Sequence, residues 1–191
     1  MHSACMNKQK GRRGVSKAGW LETGLQAMSE GGVASLTVEG LAKSLGIAKA
    51  GFYWHFKNRD DLLRQLLDYW THELTEVITS NPEIYALKPK NRLVRTAEMI
   101  LDFELTRYEI AIRQWALQDA GAARAVKKVN RLRLDHVRKA LSELDFKGED
   151  LEMRTMLFVC YHSWESPMFR EFSRKRRRDQ IAKRIELLTS K

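Results

Sequence analysis

The chain has 191 residues, 43% of them hydrophobic and 30% charged, with a formal net charge of +10. That length suits one medium domain or a small domain joined to a larger one, and the basic balance suits a polyanionic partner. Two cysteines, Cys5 and Cys160, exclude a disulfide framework or a cysteine-rich zinc site, and no window approaches the ~18 apolar residues of a membrane span.

Residues 1–14 read as a flexible basic leader. It lacks the apolar core of a signal peptide, so a cytoplasmic protein is expected. Its Lys8, Lys10, Arg12 and Arg13 suit either an arm that adds phosphate or minor-groove contacts or an unremarkable tail. The wider segment 1–59 holds nine Lys/Arg against three Asp/Glu, which concentrates the positive charge at this end. A first helix is expected from about residue 15 to 30, with Trp20, Leu21, Leu25 and Met28 on its apolar stripe and Gly31-Gly32 as its stop.

Residues 36–62 carry the most specific pattern. Thr37 is a favoured N-cap, and Leu36 and Leu41 are placed to pack as a hydrophobic staple. Leu41 and Leu45 face inward, Gly46 permits a sharp turn at positive φ, and Ile47 plugs the angle that follows. A second short helix turns Phe52 and Phe56 into the core and leaves Lys49, Ala50, Tyr53 and Trp54 outside, with His55 at the edge. Two short helices at a steep angle across a glycine turn are the plan of a helix-turn-helix, whose second helix enters the DNA major groove. Lys49 has the reach for guanine O6/N7 or a phosphate, Tyr53 and His55 suit phosphates, and the small Ala48, Ala50 and Gly51 permit close approach. Asn58 caps the next helix, and its free amides with Arg59 form an anion site. The competing reading buries the aromatics in a three-helix core and leaves Lys49 as a solvated charge.

The string Gly46-Ile47-Ala48-Lys49-Ala50-Gly51-Phe52-Tyr53-Trp54-His55-Phe56-Lys57-Asn58-Arg59-Asp60-Asp61-Leu62 resembles the signature of the TetR family of bacterial transcriptional regulators. The resemblance covers residues 15–63. It implies that Thr37, Tyr53, His55 and the amide of Arg59 meet phosphates and that Lys49, Ala50 and Trp54 meet base edges, with Gly51 at the same surface. Three positions depart from the family pattern. Ala48 stands where Ser or Thr is usual, Gly51 where Thr, Ser or Ala is usual, and Trp54 is bulkier than its counterpart. Base readout then leans on Lys49, Trp54 and backbone proximity.

Beyond this, a long helix at 59–79 is expected to bury Leu62, Leu63, Leu66, Leu67, Trp70, Leu74 and Ile78 and to connect two domains, 15–60 and 61–191. Asn81-Pro82 and Lys88-Pro89 bracket a loop. One kinked or two consecutive helices follow over 91–118, broken by Gly121. A helix over 122–144 is ended by Lys147-Gly148. Segment 150–166 is apolar almost all round and needs a second covering layer, most simply another subunit. A last helix carries Ile181, Ile185 and Leu188. The run at 174–178 reads as a solvated loop, with a second nucleic-acid contact as the alternative.

The expected architecture is therefore all-α: a three-helix helix-turn-helix domain followed by a helical ligand-binding and dimerisation domain. The resemblance implies a repressor on palindromic double-stranded DNA, a homodimer through 150–166 and 179–189, and a small-molecule effector. Met99, Phe103, Tyr108, Arg113, Trp115, Tyr161, His162 and Trp164 are candidates for the effector pocket, against ordinary core packing. A buried Arg113 needs an anion or a carboxylate, which Glu104 or Glu109 could supply internally. His72-Glu73 lacks the second histidine of a zinc-protease helix, and no glycine-rich phosphate loop is present, so no enzyme activity, metal or cofactor is expected. The other classes weighed are a nonspecific architectural DNA binder and an enzyme or carrier on a relic DNA-binding fold.

Overall fold

The structure, a computed structural model, describes residues 14–169 and 171–191, and every regular element among them is helical. The expected leader at 1–14 lies almost wholly outside the described residues.

Helix α1 (Lys17–Gly31) starts where the Ser16 hydroxyl accepts the Gly19 amide at 3.2 Å, and stops at Gly32, whose φ of +71° no other residue adopts cheaply. Its buried stripe is Trp20, Leu21, Leu25 and Met28, as expected. After a single turn at Val33–Ser35, α2 (Val38–Leu45) is capped by the Thr37 hydroxyl, which accepts the Gly40 amide at 3.0 Å. Leu36 and Leu41 are both buried in one core, and Gly46 sits in the left-handed region at φ +68°. The second helix of the motif, Lys49–Trp54, is a 3₁₀ turn rather than an α-helix. Ala48 before it offers no side-chain oxygen to an amide.

Helix α3 (Arg59–Thr71) continues through a π turn at His72–Glu76 into α4 (Val77–Thr79). Leu62, Leu66, Leu67, Trp70 and Ile78 are buried, while Leu63 and Leu74 are half-buried. The expected loop at 81–89 holds one short helix, α5 (Pro82–Tyr85), and Pro89 opens α6 (Pro89–Asp102). Each proline stands at the first helical position, where a missing N–H costs nothing. The next stretch divides into α6 and α7 (Glu109–Ala116), separated by turns in which Glu104 takes φ +50°.

Two expected boundaries move. Gly121 does not break the run; it lies in the first turn of α8 (Ala120–Ser142), because the Asp119 carboxylate accepts the Ala122 amide at 2.7 Å and caps the helix there. Gly148, at φ +56°, opens α9 (Gly148–Met168), and α8 has already ended at Ser142. The basic run forms a short helix, α10 (Arg174–Asp179), rather than a loop, while Arg174, Lys175, Arg176 and Arg178 stay exposed as expected. Ser173 caps it, Arg174 donates to the Asp102 carbonyl, Arg178 pairs with the Asp102 carboxylate, and Arg177 lies 3.4 Å from Glu165. Counter-charges on neighbouring helices fold the run down. Helix α11 (Ile181–Thr189) buries Ile181 and Ile185.

Two main cores result. One joins Trp20, Phe52, Phe56 and Trp70 of the N-terminal head to Tyr108, Ile112 and Trp115 around α7 and to Ala122 and Val129 of α8. The other holds Leu93, Leu101, Val137, Leu141, Phe146, Phe158, Ile181 and Ile185. Helix α9 is covered on one side only. It buries Thr155, Phe158, His162, Ser163 and Glu165, while Met153, Met156, Leu157, Cys160, Trp164 and Met168 remain exposed along one stripe.

Candidate nucleic-acid interface

The reading face is built from the inside outward. Phe52 and Phe56 are buried with ring centroids 5.1 Å apart, and Trp20 meets Phe52 edge-on at 5.6 Å. With those rings fixed, the residues between them point away from the core. Trp54 is 87% exposed, Tyr53 is 59% exposed, and Lys49 and Ala50 lie in solvent. Gly51 has no packing reason to lack a side chain. An added Cβ would meet Ile47 at 3.5 Å and Trp20 at 3.8 Å, which are ordinary contacts.

Several polar groups of this surface have internal partners. His55 is half-buried, and its Nε2 lies 3.0 Å from the Val15 carbonyl, so that nitrogen carries the proton and ties the recognition turn to the start of α1. Lys49 pairs with Glu39 of α2. The Arg59 guanidinium turns inward, donating from Nε to the Leu36 carbonyl and from an outer nitrogen to the Val33 carbonyl, each at 2.7 Å. It cannot share the expected anion site in this position, and only the amides at the start of α3 remain to form one. The amide of Asp61 is already taken by Asn58 Oδ1 at 2.9 Å, and the Asp61 carboxylate in turn accepts the Lys57 amide. That last bond, first among its causes, holds the Asp61 carboxyl below its ordinary range.

The C-terminal body contains a cavity of about 40 Å³, large enough for water but far below the ~300 Å³ of a drug-sized pocket. Leu74, Ile78, Ile100, Val137 and Phe158 give it apolar walls, and Thr75, Thr96, Arg133, His136, His162 and Ser163 add polar groups. Of the eight expected pocket residues, His162 alone lines it. Tyr108 and Trp115 are buried in the core shared with the head, and Met99 packs with Ile78, Ile84 and Leu105. Phe103 is exposed just past the end of α6, Tyr161 lies beneath the Arg184 guanidinium at 4.3 Å, and Trp164 belongs to the uncovered stripe of α9. The break after Asp102 rotates α7 relative to α6, so side chains that share a stripe in sequence face different cores.

Arg113 does find a carboxylate. Glu109 is 0% exposed and accepts from Arg113 at 2.7 Å and from Arg133 at 3.0 Å, and Arg133 also donates to Thr75 and Ser163. The i,i+4 spacing of Glu109 and Arg113 signals the first pair; nothing local signals Arg133. His136 hydrogen bonds through Nε2 to the Thr96 hydroxyl at 2.9 Å and through Nδ1 to the Tyr85 hydroxyl at 3.2 Å. Burial, reinforced by the charges of Arg92 and Lys139, pulls its pKa down to about 4. Burial likewise lowers His162. For Glu165 burial acts upward, but His162, Arg184 and Arg177 outweigh it and hold the carboxyl below its ordinary range. No group of metal-ligating side chains occurs among the described residues, and no described helix is long and apolar enough to cross a membrane.

A capped α2, a left-handed glycine and a recognition turn with outward aromatics define a helix-turn-helix protein. Residues 21–66 match the family model described as bacterial regulatory proteins, tetR family, so the chain carries a TetR-family N-terminal domain. Over 97 residues it is 30% identical to the HTH-type transcriptional regulator TtgR of Pseudomonas putida, an alignment covering 48% of this chain and 46% of that protein. The chain thus spans about half the length of that curated relative. The whole fold is similar to FadR from Bacillus subtilis, solved with stearoyl-CoA, at a TM-score of 0.68 and 16% identity over 92% of this chain and 98% of that one. It is also similar to a transcriptional regulator from Saccharomonospora viridis solved with choline, at a TM-score of 0.70 and 15% identity over 89% and 95%. The all-α architecture is that of these regulators.

Proposed function

We propose that the chain is a sequence-specific DNA-binding transcriptional regulator, a repressor that holds a palindromic operator as a homodimer and releases it when a small molecule enters the C-terminal body. The observation that carries this reading is the recognition turn itself. An indole 87% exposed beside an exposed tyrosine, both fixed by buried phenylalanines, has no folding purpose and suits a partner surface. Thr37, Lys49, Ala50, Gly51, Tyr53, Trp54, His55 and the amide of Arg59 would meet the duplex.

The uncovered stripe of α9, with exposed Leu187 on α11, supports a homodimer through residues 150–166 and 179–189. A two-fold pairing there would bury the stripe and give two reading faces for half-sites about one DNA turn, ~34 Å, apart. The cavity, about 40 Å³ in this structure, would have to widen to admit an effector; Leu74 and Thr75 of the π turn line it, and that turn continues the helix that begins at the reading face, so widening there would reach the head. An effector preferring one spacing of the two heads would shift the equilibrium only by its differential affinity for the two states. That solved structures of this fold contain ligands is consistent with such a role. The setting is the bacterial cytoplasm, in association with the nucleoid, and the protein acts without catalysis or a cofactor. The comparisons lend no support to a nonspecific architectural binder.

Selection from random duplex DNA by the purified protein tests the reading. A palindrome should emerge whose enrichment disappears with Lys49→Ala and Tyr53→Ala, and sedimentation should give a dimer at micromolar concentration. Retention of all sequences alike, fading with salt, would instead indicate a purely electrostatic binder.

A further inference from the structure

Glu39 lies in the first turn of α2, outside the recognition turn, and is the single carboxylate among residues 31–59, which contain four basic side chains. Its carboxylate pairs with the Lys49 ammonium, and both side chains remain at least half exposed, Lys49 at 50% and Glu39 at 67%. Each is the dominant electrostatic neighbour of the other: the bond to Lys49 lowers Glu39, and the bond to Glu39 raises Lys49. An acid on the outer surface of a basic head opposes phosphates, and a lysine it neutralises displaces little counterion from the DNA backbone. The pair is therefore poorly suited to gripping phosphate. It does present a donor directly beside an acceptor, and the major-groove edge of a G·C pair shows the complementary pattern: acceptors O6 and N7 on guanine beside the N4 amino donor on cytosine.

We propose that Glu39 and Lys49 read one G·C pair in each half-site together, Lys49 Nζ donating to guanine and the Glu39 carboxylate accepting from cytosine N4. The inference rests on the DNA-binding reading above and adds Glu39 to it as a specificity-determining residue. Ala48 and Gly51 supply no polar side chain to this face, which leaves the pair as its charged readout.

The test is selection from random DNA by the full chain and by Glu39→Gln, Glu39→Ala and Lys49→Ala, followed by competition binding on operators with single base-pair changes. Glu39 is exposed, and thermal unfolding of its variants is expected to match the parent. The parent should require a G·C pair at one position per half-site. Glu39→Gln should lose the preference for cytosine there by about fivefold or more and admit adenine, since a glutamine amide pairs with adenine N6 and N7. Glu39→Ala should lose the preference without gaining another. The slope of binding against salt should stay the same in Lys49→Ala. Unchanged base preference in both Glu39 variants would reduce Glu39 to a tether for Lys49 and overturn the inference. So would a salt slope that falls by about one in Lys49→Ala, which puts the lysine on a phosphate. Failure of the parent to select any sequence would overturn the DNA-binding reading itself.

Discussion

The N-terminal head and the C-terminal body are held together by different kinds of interaction. The head is an aromatic and aliphatic core, Trp20, Phe52, Phe56 and Trp70, whose helix ends are closed by side chains three residues away: Ser16, Thr37 and Asn58. The body also encloses ions and histidines whose partners lie far off in sequence, such as Glu109 with Arg133 and His136 with Tyr85 and Thr96. Apolar cores tolerate rearrangement, whereas a buried ion is expensive to leave alone. Losing a capping side chain should therefore cost the head little, and losing one member of a buried ion pair should cost the body much.

The largest step is expected at Glu109→Ala. It leaves the Arg133 guanidinium, a side chain only 14% exposed, with no carboxylate, and leaves Arg113 with Asn130 alone. Breaking one side of a buried pair costs about 3–5 kcal/mol. Urea unfolding should show a loss of that order. A loss under about 1 kcal/mol would mean that the body does not depend on its ionic network, and the contrast with the head would disappear.

His136 gives the next effect and ties it to pH. Its pKa near 4 when folded lies below the ordinary 6.5, so between these values the unfolded chain binds more protons than the folded one. The neutral ring stabilises the fold fully above pH 6.5, and this contribution is lost as the pH falls towards 4. The full shift corresponds to about 3 kcal/mol. His136→Gln retains hydrogen-bonding capacity towards Thr96 and Tyr85 without titrating. Its unfolding free energy, followed from pH 7 to 4, should fall less steeply than that of the parent. Parallel curves would show that this histidine takes no part in acid sensitivity.

In the head the expected step is smaller. Thr37→Ala removes the hydroxyl that accepts the Gly40 amide and should cost about 1 kcal/mol, read in the same urea experiment. It also removes a proposed phosphate contact, so operator binding should weaken beyond what the lost stability explains.

The same contrast governs how much of the structure is legible in the sequence. The head was legible because its determinants are local. A cap and its amide are three residues apart, Gly46 needs only its own φ, and Phe52 and Phe56 are separated by one turn. Even there, the inward turn of Arg59 onto the carbonyls of Leu36 and Val33 is not legible, because those acceptors lie 23 and 26 residues away in the chain. The Glu39–Lys49 pair escaped for a related reason: its members belong to different helices. In the body, helix positions could be read from apolar spacing, but the side chains facing the cavity could not. Whether Met99, Phe103 and Tyr108 share a pocket depends on how the turns after Asp102 rotate α7, and no periodicity within either helix records that rotation. The exposure of the run at 174–178 is legible but its helix is not, because Asp102 and Glu165, which anchor it, come from α6 and α9.

Gly51→Ala is expected to have the smallest effect on the fold and is the most pointed test of the head. Replacing a glycine at compatible φ restricts the unfolded chain and should stabilise by about 0.4–1 kcal/mol, since the new Cβ makes only ordinary contacts with Ile47 and Trp20. If the missing side chain serves close approach to base edges, the same change should weaken operator binding while raising the unfolding midpoint. Opposite signs in the two measurements would show that this position is kept bare for the DNA at the expense of the fold. A variant that is both more stable and equally tight on DNA would remove Gly51 from the reading face and leave Lys49, Tyr53 and Trp54 to carry it.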